Sequence, residues 1–368
     1  MKRLLCLLAL GFAACGSNAA TSGPDAGGAP EGGGQSMDLA AEMPGSAADV
    51  LTAPEQVSTA DASGNQADAP SSGSDAAGTG GGAAGMDGGA EAPAPGPLPS
   101  PQPKGYPAGS APRTEQKSIM GPITHTTIGF NVYLPPGYDS GSLRYPVVYD
   151  LHGLTGTQFD DAQWVIPSLE AAMKKNLVGP VIVVFPDGLM ESYYADGKNG
   201  VKPSETRIMR ELIPYVDGNY RTYPNRQLRA VTGFSMGGYG AMELATKFPD
   251  FFRVGVAYDA ALDTWQTLVG RRASIATAQF GDDEAYFDMY SPWANAKSNA
   301  AILRATVALR LVPGTTYQMF DAAFRDALAG LQIPLDYVET TCPHDYGCAL
   351  MNQGAASWTF IESAFEHH

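Results

Sequence analysis

A serine bracketed by glycines is the first place where this sequence could do chemistry. Gly233-Phe234-Ser235-Met236-Gly237 has the Gly-x-Ser-x-Gly spacing, and Gly238 and Gly240 follow closely. Glycines at both flanks permit a sharp turn in which the hydroxyl stands clear, where a side chain would strike the following helix. Arg229-Ala230-Val231 reads as the end of a buried strand, and residues 241–248 have the composition of a helix that Pro249 stops. Ser235 is therefore the candidate nucleophile. Such a hydroxyl needs a base, an oriented imidazole and donors for an oxyanion. Of the five histidines, His367 and His368 end the chain, His125 precedes a strand and His152 belongs to a His-Gly turn. His344, in the loop after the last strand, is left as the base. The oxyanion donors are expected to be the backbone N–H groups of Met236, just after the serine, and of Leu154 in His152-Gly153-Leu154. His152 itself reads as structural.

These groups must be positioned by alternating strands and helices. Apolar or alternating runs at 126–134, 145–151, 181–185, 229–231, 254–258, 307–312 and 335–339 read as strands. Helical stretches are expected at 168–176, 205–220, 241–248 and 320–331, with a further helical region between the strands at 254–258 and 307–312. Strands that are apolar throughout suit a sheet covered on both faces, and β/α alternation implies that the sheet is mostly parallel. The fold class is α/β, with ligands at the carboxyl ends of the strands.

Several segments resemble one group of α/β-hydrolases, which includes esterase D (S-formylglutathione hydrolase), feruloyl and acetyl-xylan esterases and the mycolyltransferase antigens. They are Phe130-Asn131-Val132-Tyr133-Leu134-Pro135-Pro136-Gly137-Tyr138, Tyr145-Pro146-Val147-Val148-Tyr149-Asp150-Leu151-His152-Gly153, Glu211-Leu212-Ile213-Pro214-Tyr215-Val216-Asp217, and 233–252. The resemblance covers roughly 118–368 and implies the α/β-hydrolase fold and carboxylester chemistry. It also places Tyr193 and Tyr194 at an acyl pocket. The family's acid is where the sequence departs: the usual Gly-x-x-Asp is Gly314-Thr315-Thr316-Tyr317 here, so Tyr317 stands in the carboxylate's place. Two replacements are open. Asp259 follows the preceding strand and is favoured; Asp321, near the start of the next helix, is the rival. The bland reading of either is a cap or a solvated loop carboxylate. Trp265 and Trp293 could form a sugar or aryl platform, although aromatic residues in such regions are more often core.

Cys342 and Cys348 flank His344 and are expected to form a disulfide in an oxidising compartment. Neither a C-x-x-C pair nor a histidine cluster at metal spacing occurs, so no metal or cofactor is implied. Lys2-Arg3 followed by an apolar run to Ala14 has the length of a signal-peptide core. Phe12-Ala13-Ala14-Cys15 resembles a bacterial lipobox, which makes Cys15 the expected lipidation site. Residues 1–15 are thus read as a lipoprotein-type signal, 16–112 as a disordered Gly/Ala/Pro/Ser-rich tether, and 113–368 as the esterase domain. Residues 16–112 hold eleven Asp and Glu against one Lys, so most of the formal charge of −15 belongs to them. With no basic stripe, nucleic acid is excluded as a partner. The sequence reads as an exported, lipid-anchored serine esterase acting on small or polysaccharide-linked esters of feruloyl or acetyl type. Two alternatives are an acyltransferase of mycolyl type and a glycan-binding module that has lost turnover.

Overall fold

Eight strands form one sheet in the computed structural model, which describes residues 103–365. The strands are β1 (Arg113–Met120), β2 (Thr127–Leu134), β3 (Val147–Leu151), β4 (Ile182–Pro186), β5 (Arg229–Phe234), β6 (Val254–Tyr258), β7 (Ala308–Val312) and β8 (Asp336–Tyr337). Their spatial order is β1-β2-β4-β3-β5-β6-β7-β8. Only β2 pairs antiparallel, with β1 and with β4; every pairing from β4 through β3 to β8 is parallel. The expected mostly parallel sheet is therefore present. β3, β4 and β6 are buried at every residue, as strands covered on both faces must be.

Side chains alternate between two apolar layers. Val147, Tyr149 and Leu151 enter a core under α4 (Met236–Lys247), whereas Val148 joins one under α1 (Ala162–Lys174) and α10 (Tyr346–Ala364). The period of two along β3 thus decides which helices each residue meets.

Differences from the sequence reading have local causes. β1 is a polar edge strand, RTEQKSIM, exposed along most of its length, so no apolar alternation marks it. α1 begins at Ala162 rather than after Pro167, which lies inside it; burial of Val165, Leu169, Ala172 and Met173 outweighs the proline's cost. The helix expected over 205–220 is three segments: α2 (Ser204–Thr206), a π-helical turn at Arg207–Leu212, and α3 (Ile213–Asn219). Pro214 lies at the start of α3, where its missing N–H breaks the regular ladder. α10 went unread because glycine and small residues dilute its pattern; Gly354 is where it approaches Ser168 of α1.

Between β6 and β7 lie α5 (Trp265–Phe280), α6 (Glu284–Asp288), α7 (Pro292–Ser298) and α8 (Ala300–Thr306), and α9 (Gln318–Gly330) follows β7. Residues 103–112, grouped with the tether on composition, already touch the domain: Gly105 N–H donates to Val178 O at 2.9 Å. The signal segment, Cys15 and residues 16–102 lie outside the described residues, as do His367 and His368. No described helix is long and apolar enough to cross a membrane.

Candidate active site

Ser235 sits between the end of β5 and the start of α4 with φ 59° and ψ −117°, a backbone conformation that few L-residues adopt. The glycines make this turn possible. A Cβ on Gly237 would overlap the Leu151 carbonyl at the end of β3, and one on Gly233 would overlap the Gly237 carbonyl. Hydrogen bonds fix the turn from both sides: Ser235 N–H donates to Tyr258 O at 3.1 Å, and Ser235 O accepts from Ala261 N–H at 2.9 Å. Strain in the serine is thus held by the ends of β3 and β6.

His344 lies in the loop between β8 and α10. Its Nε2 is 2.9 Å from Ser235 Oγ, and its Nδ1 is 2.6 Å from Asp259 Oδ2. With Nδ1–H donating to the carboxylate, Nε2 is left as the acceptor for the serine proton. Asp259 follows β6 in a left-handed conformation, φ 37°, and is 1% exposed. Its second oxygen accepts from Gly314 N–H at 3.0 Å and Tyr317 N–H at 2.9 Å. The loop that carries an acid in the resembled family here supplies two backbone donors to an acid on the neighbouring strand. Both carboxylate oxygens are therefore engaged.

The rival carboxylate is elsewhere. Asp321 is fully buried in the first turn of α9, where Oδ2 accepts from Ala260 N–H at 3.2 Å and Oδ1 has no partner. Burial, and secondarily the nearby Asp259 charge, push its pKa well above the ordinary carboxylate value, with the Ala260 N–H opposing the shift.

Rings brace the imidazole. Phe234 packs on His344 with centroids 4.4 Å apart, Tyr317 meets it edge-on at 5.1 Å, and Tyr346 stacks behind Phe234 at 5.1 Å. Tyr346 OH in turn donates to Asp150 Oδ2 at 2.8 Å. These aromatic braces were missed from the sequence, where Tyr317 signalled only a lost acid. A Cys342–Cys348 disulfide closes the loop that holds His344, and Asp345 accepts from Cys348 N–H at 2.6 Å to cap α10.

The expected oxyanion groups border the serine. Met236 is the first residue of α4, so its N–H has no acceptor within the helix. The His152-Gly153-Leu154 turn lies against the nucleophile, since a Cβ on Gly153 would be 3.7 Å from Ser235 Cβ. Leu154 O accepts from Glu191 N–H at 2.8 Å, which fixes the turn. His152 is a clamp between two loops: its Nδ1 is 2.8 Å from Gly153 O, and its Nε2 accepts from Gly188 N–H at 3.0 Å. Because an acceptor nitrogen is unprotonated, the ring is neutral, and burial lowers its pKa in the same sense.

Four aromatic residues considered for substrate contact are packed instead. Tyr193 and Tyr194 are fully buried, with hydroxyls donating to Asp263 Oδ2 at 2.8 Å and to His152 O at 2.9 Å. Trp265 packs on Phe287 and Trp293 on Phe324. His125 sits exposed near the β1–β2 connection, away from these groups.

Comparison with known proteins places this geometry in a family. An esterase of Mycobacterium tuberculosis is 35% identical over 127 residues, covering 34% of this chain and 27% of the relative. An endo-1,4-beta-xylanase/feruloyl esterase of Xylanibacter ruminicola is 32% identical over 133 residues, covering 33% of this chain and 18% of the relative. The chain thus spans well under half the length of these curated relatives. Among solved structures, a ferulic acid esterase superposes with a TM-score of 0.60 at 20% identity, covering 69% of this chain and 99% of that one. At that identity the likeness is one of fold, the α/β-hydrolase fold. The profile described as "Putative esterase" matches residues 121–320, more than half of the chain, and the chain belongs to that family.

Proposed function

We propose that this protein is a serine carboxylester hydrolase that works through an acyl-enzyme on Ser235. The observation that carries the reading is the unbroken relay from Ser235 Oγ through His344 to Asp259. In the first half-reaction Ser235 Oγ attacks the ester carbonyl carbon while His344 Nε2 takes its proton. Asp259 holds the imidazole and stabilises its cation, and the Met236 and Leu154 N–H groups receive the oxyanion. His344 returns the proton to the departing alcohol, which leaves an acyl-serine. Water, deprotonated by the same nitrogen, then attacks that carbonyl and releases the acid and the free serine.

The relatives' names include feruloyl esterase, which supports polysaccharide-linked feruloyl or acetyl esters as the substrate class. The lipobox-like segment supports an exported protein anchored through Cys15. The case for a module without turnover rested on the absent Gly-x-x-Asp and the altered histidine loop; the hydrogen bonds of His344 to Asp259 and to Ser235 support turnover instead. The test is fluorophosphonate labelling of the full chain with mass-spectrometric location of the adduct. Modification of Ser235, lost in Ser235→Ala together with a fall of at least about three orders of magnitude in ester hydrolysis, is expected. A folded chain that takes up no label refutes the proposal.

A further inference from the structure

α5 breaks at Arg272, whose φ of −145° and ψ of 49° are not helical. The break sets two consecutive arginines beside the His344 loop. Arg271 is accounted for: its guanidinium pairs with Asp263 Oδ1 at 3.0 Å and lies over the Tyr317 ring at 4.9 Å and the Phe320 ring at 4.7 Å. The other Asp263 oxygen is taken by Tyr193 OH. Arg272 makes no ion-pair contact of its own among the described residues, although the Asp263 charge lies near it. Its one hydrogen bond runs from Nη2 to Tyr317 OH at 2.7 Å, which leaves its other N–H donors unused. Tyr317 OH finds no acceptor for its own proton among the described residues, and its ring rests on His344.

We propose that Arg272, with Tyr317 OH beside it, forms an anion subsite on the His344 side of the catalytic centre that selects esters carrying a carboxylate. The proposal rests on the hydrolase reading above and names the substrate class for that site. A guanidinium offers parallel donors to a carboxylate in a fixed fork, and only one of the Arg272 donors is spent on tyrosine. Arg272 is half-buried, so its charge is less screened than that of a surface arginine. The nearby Asp263 charge favours the Arg272 cation, but both Asp263 oxygens are already held by Arg271 and Tyr193 OH, and Arg272 stands one side chain away from the triad histidine. Its attraction for an anionic substrate acts at short range and sets specificity rather than encounter rate.

The experiment compares kcat/KM for anionic and neutral esters in the full chain, Arg272→Gln and Arg272→Lys. One pair, 4-acetoxybenzoate and its methyl ester, puts the carboxylate on the alcohol side. The other, 4-nitrophenyl hemisuccinate and 4-nitrophenyl butyrate, puts it on the acyl side. For at least one pair the anionic-to-neutral ratio is expected to fall about tenfold or more in Arg272→Gln, mainly through KM, and by less in Arg272→Lys. A ratio unchanged in both variants for both pairs overturns the subsite. If Arg272→Gln does not fold, Arg272→Lys decides alone, because it keeps the charge and loses the fork. Calorimetric binding of terephthalate to Ser235→Ala separates the two readings. Binding that weakens when Arg272→Gln is added supports the subsite even if no ester is turned over, and no binding overturns it.

Discussion

At the residue scale, two buried aspartates near the end of one strand have been given different partners. Asp259 accepts from the Gly314 and Tyr317 N–H groups on one oxygen and faces the His344 imidazole with the other. Asp321 receives one backbone N–H and is otherwise surrounded by apolar groups and a like charge. Asp259→Asn should lower kcat by roughly 10³–10⁴-fold, since an amide cannot hold the required tautomer. Asp321→Asn should leave kcat within a few-fold, because an amide oxygen can still accept from Ala260. Steady-state kinetics of the two variants decides between them, and the reverse order would move the acid to Asp321. A second prediction concerns the elbow. Gly237→Ala drives a Cβ into the Leu151 backbone and should destabilise the fold by more than about 3 kcal/mol. Gly330→Ala, with open space around the added carbon, should leave the melting temperature unchanged or slightly raised.

At the scale of elements, the loop from β8 to α10 carries the histidine and is held at both ends. The Cys342–Cys348 bond closes a loop of about seven residues, which contributes on the order of 2 kcal/mol by loop entropy. Its larger effect should be on the placement of His344. Reduction, verified by thiol counting, is expected to lower ester hydrolysis several-fold while shifting the melting temperature by only a few degrees; equal activity with and without reductant would sink this idea. Beneath the loop, Asp150 on β3 accepts from Thr232 Oγ at 2.5 Å and Tyr346 OH at 2.8 Å. Burial pushes its pKa up to about 6, with the two hydroxyl donors opposing the shift. Because the folded value is raised, the unfolded chain ionises first as pH climbs. Stability is therefore lost between about pH 4 and pH 6, by up to roughly 3 kcal/mol from this group, and stays low above that window. Burial, with the Asp150 and Asp160 charges, likewise raises Asp161 to about 8, which extends the loss to higher pH. Asp150→Asn should consequently gain melting temperature relative to the parent at pH 8 compared with pH 4. An equal difference at both pH values would show that Asp150 does not titrate in that range.

At the scale of the whole molecule, the parallel strands converge their carboxyl ends on one rim. β5 leads into Ser235, β6 into Asp259 and β8 into the segment with His344, while the turn after β3 lies against the serine. Such chemistry can be varied at the rim without altering the layers below, and the acid's place after β6 is an instance. Our proposal for the N-terminus belongs to this scale as well. If Cys15 carries the lipid, the full chain should partition with membranes and incorporate labelled fatty acid, and Cys15→Ser should do neither. Fatty-acid incorporation that persists in Cys15→Ser would put the lipid elsewhere.

Much of this protein was legible in its sequence because the governing forces are local. The apolar runs of β3, β4 and β6, the glycines around Ser235 and the short strand-to-helix spacing determined the fold class and the elbow. These features depend on nearest-neighbour sterics and burial. Tertiary structure alone decided the rest. It chose Asp259 over Asp321, residues 62 positions apart whose neighbours in sequence say nothing of their distance to His344. It also turned Tyr317 from a missing acid into a brace and an amide donor, buried Tyr193 and Tyr194 in the core, and set Arg272 against Tyr317. Each of these outcomes depends on contacts between strands and helices distant in sequence, where one hydrogen bond or ring contact fixes a role that residue type leaves open.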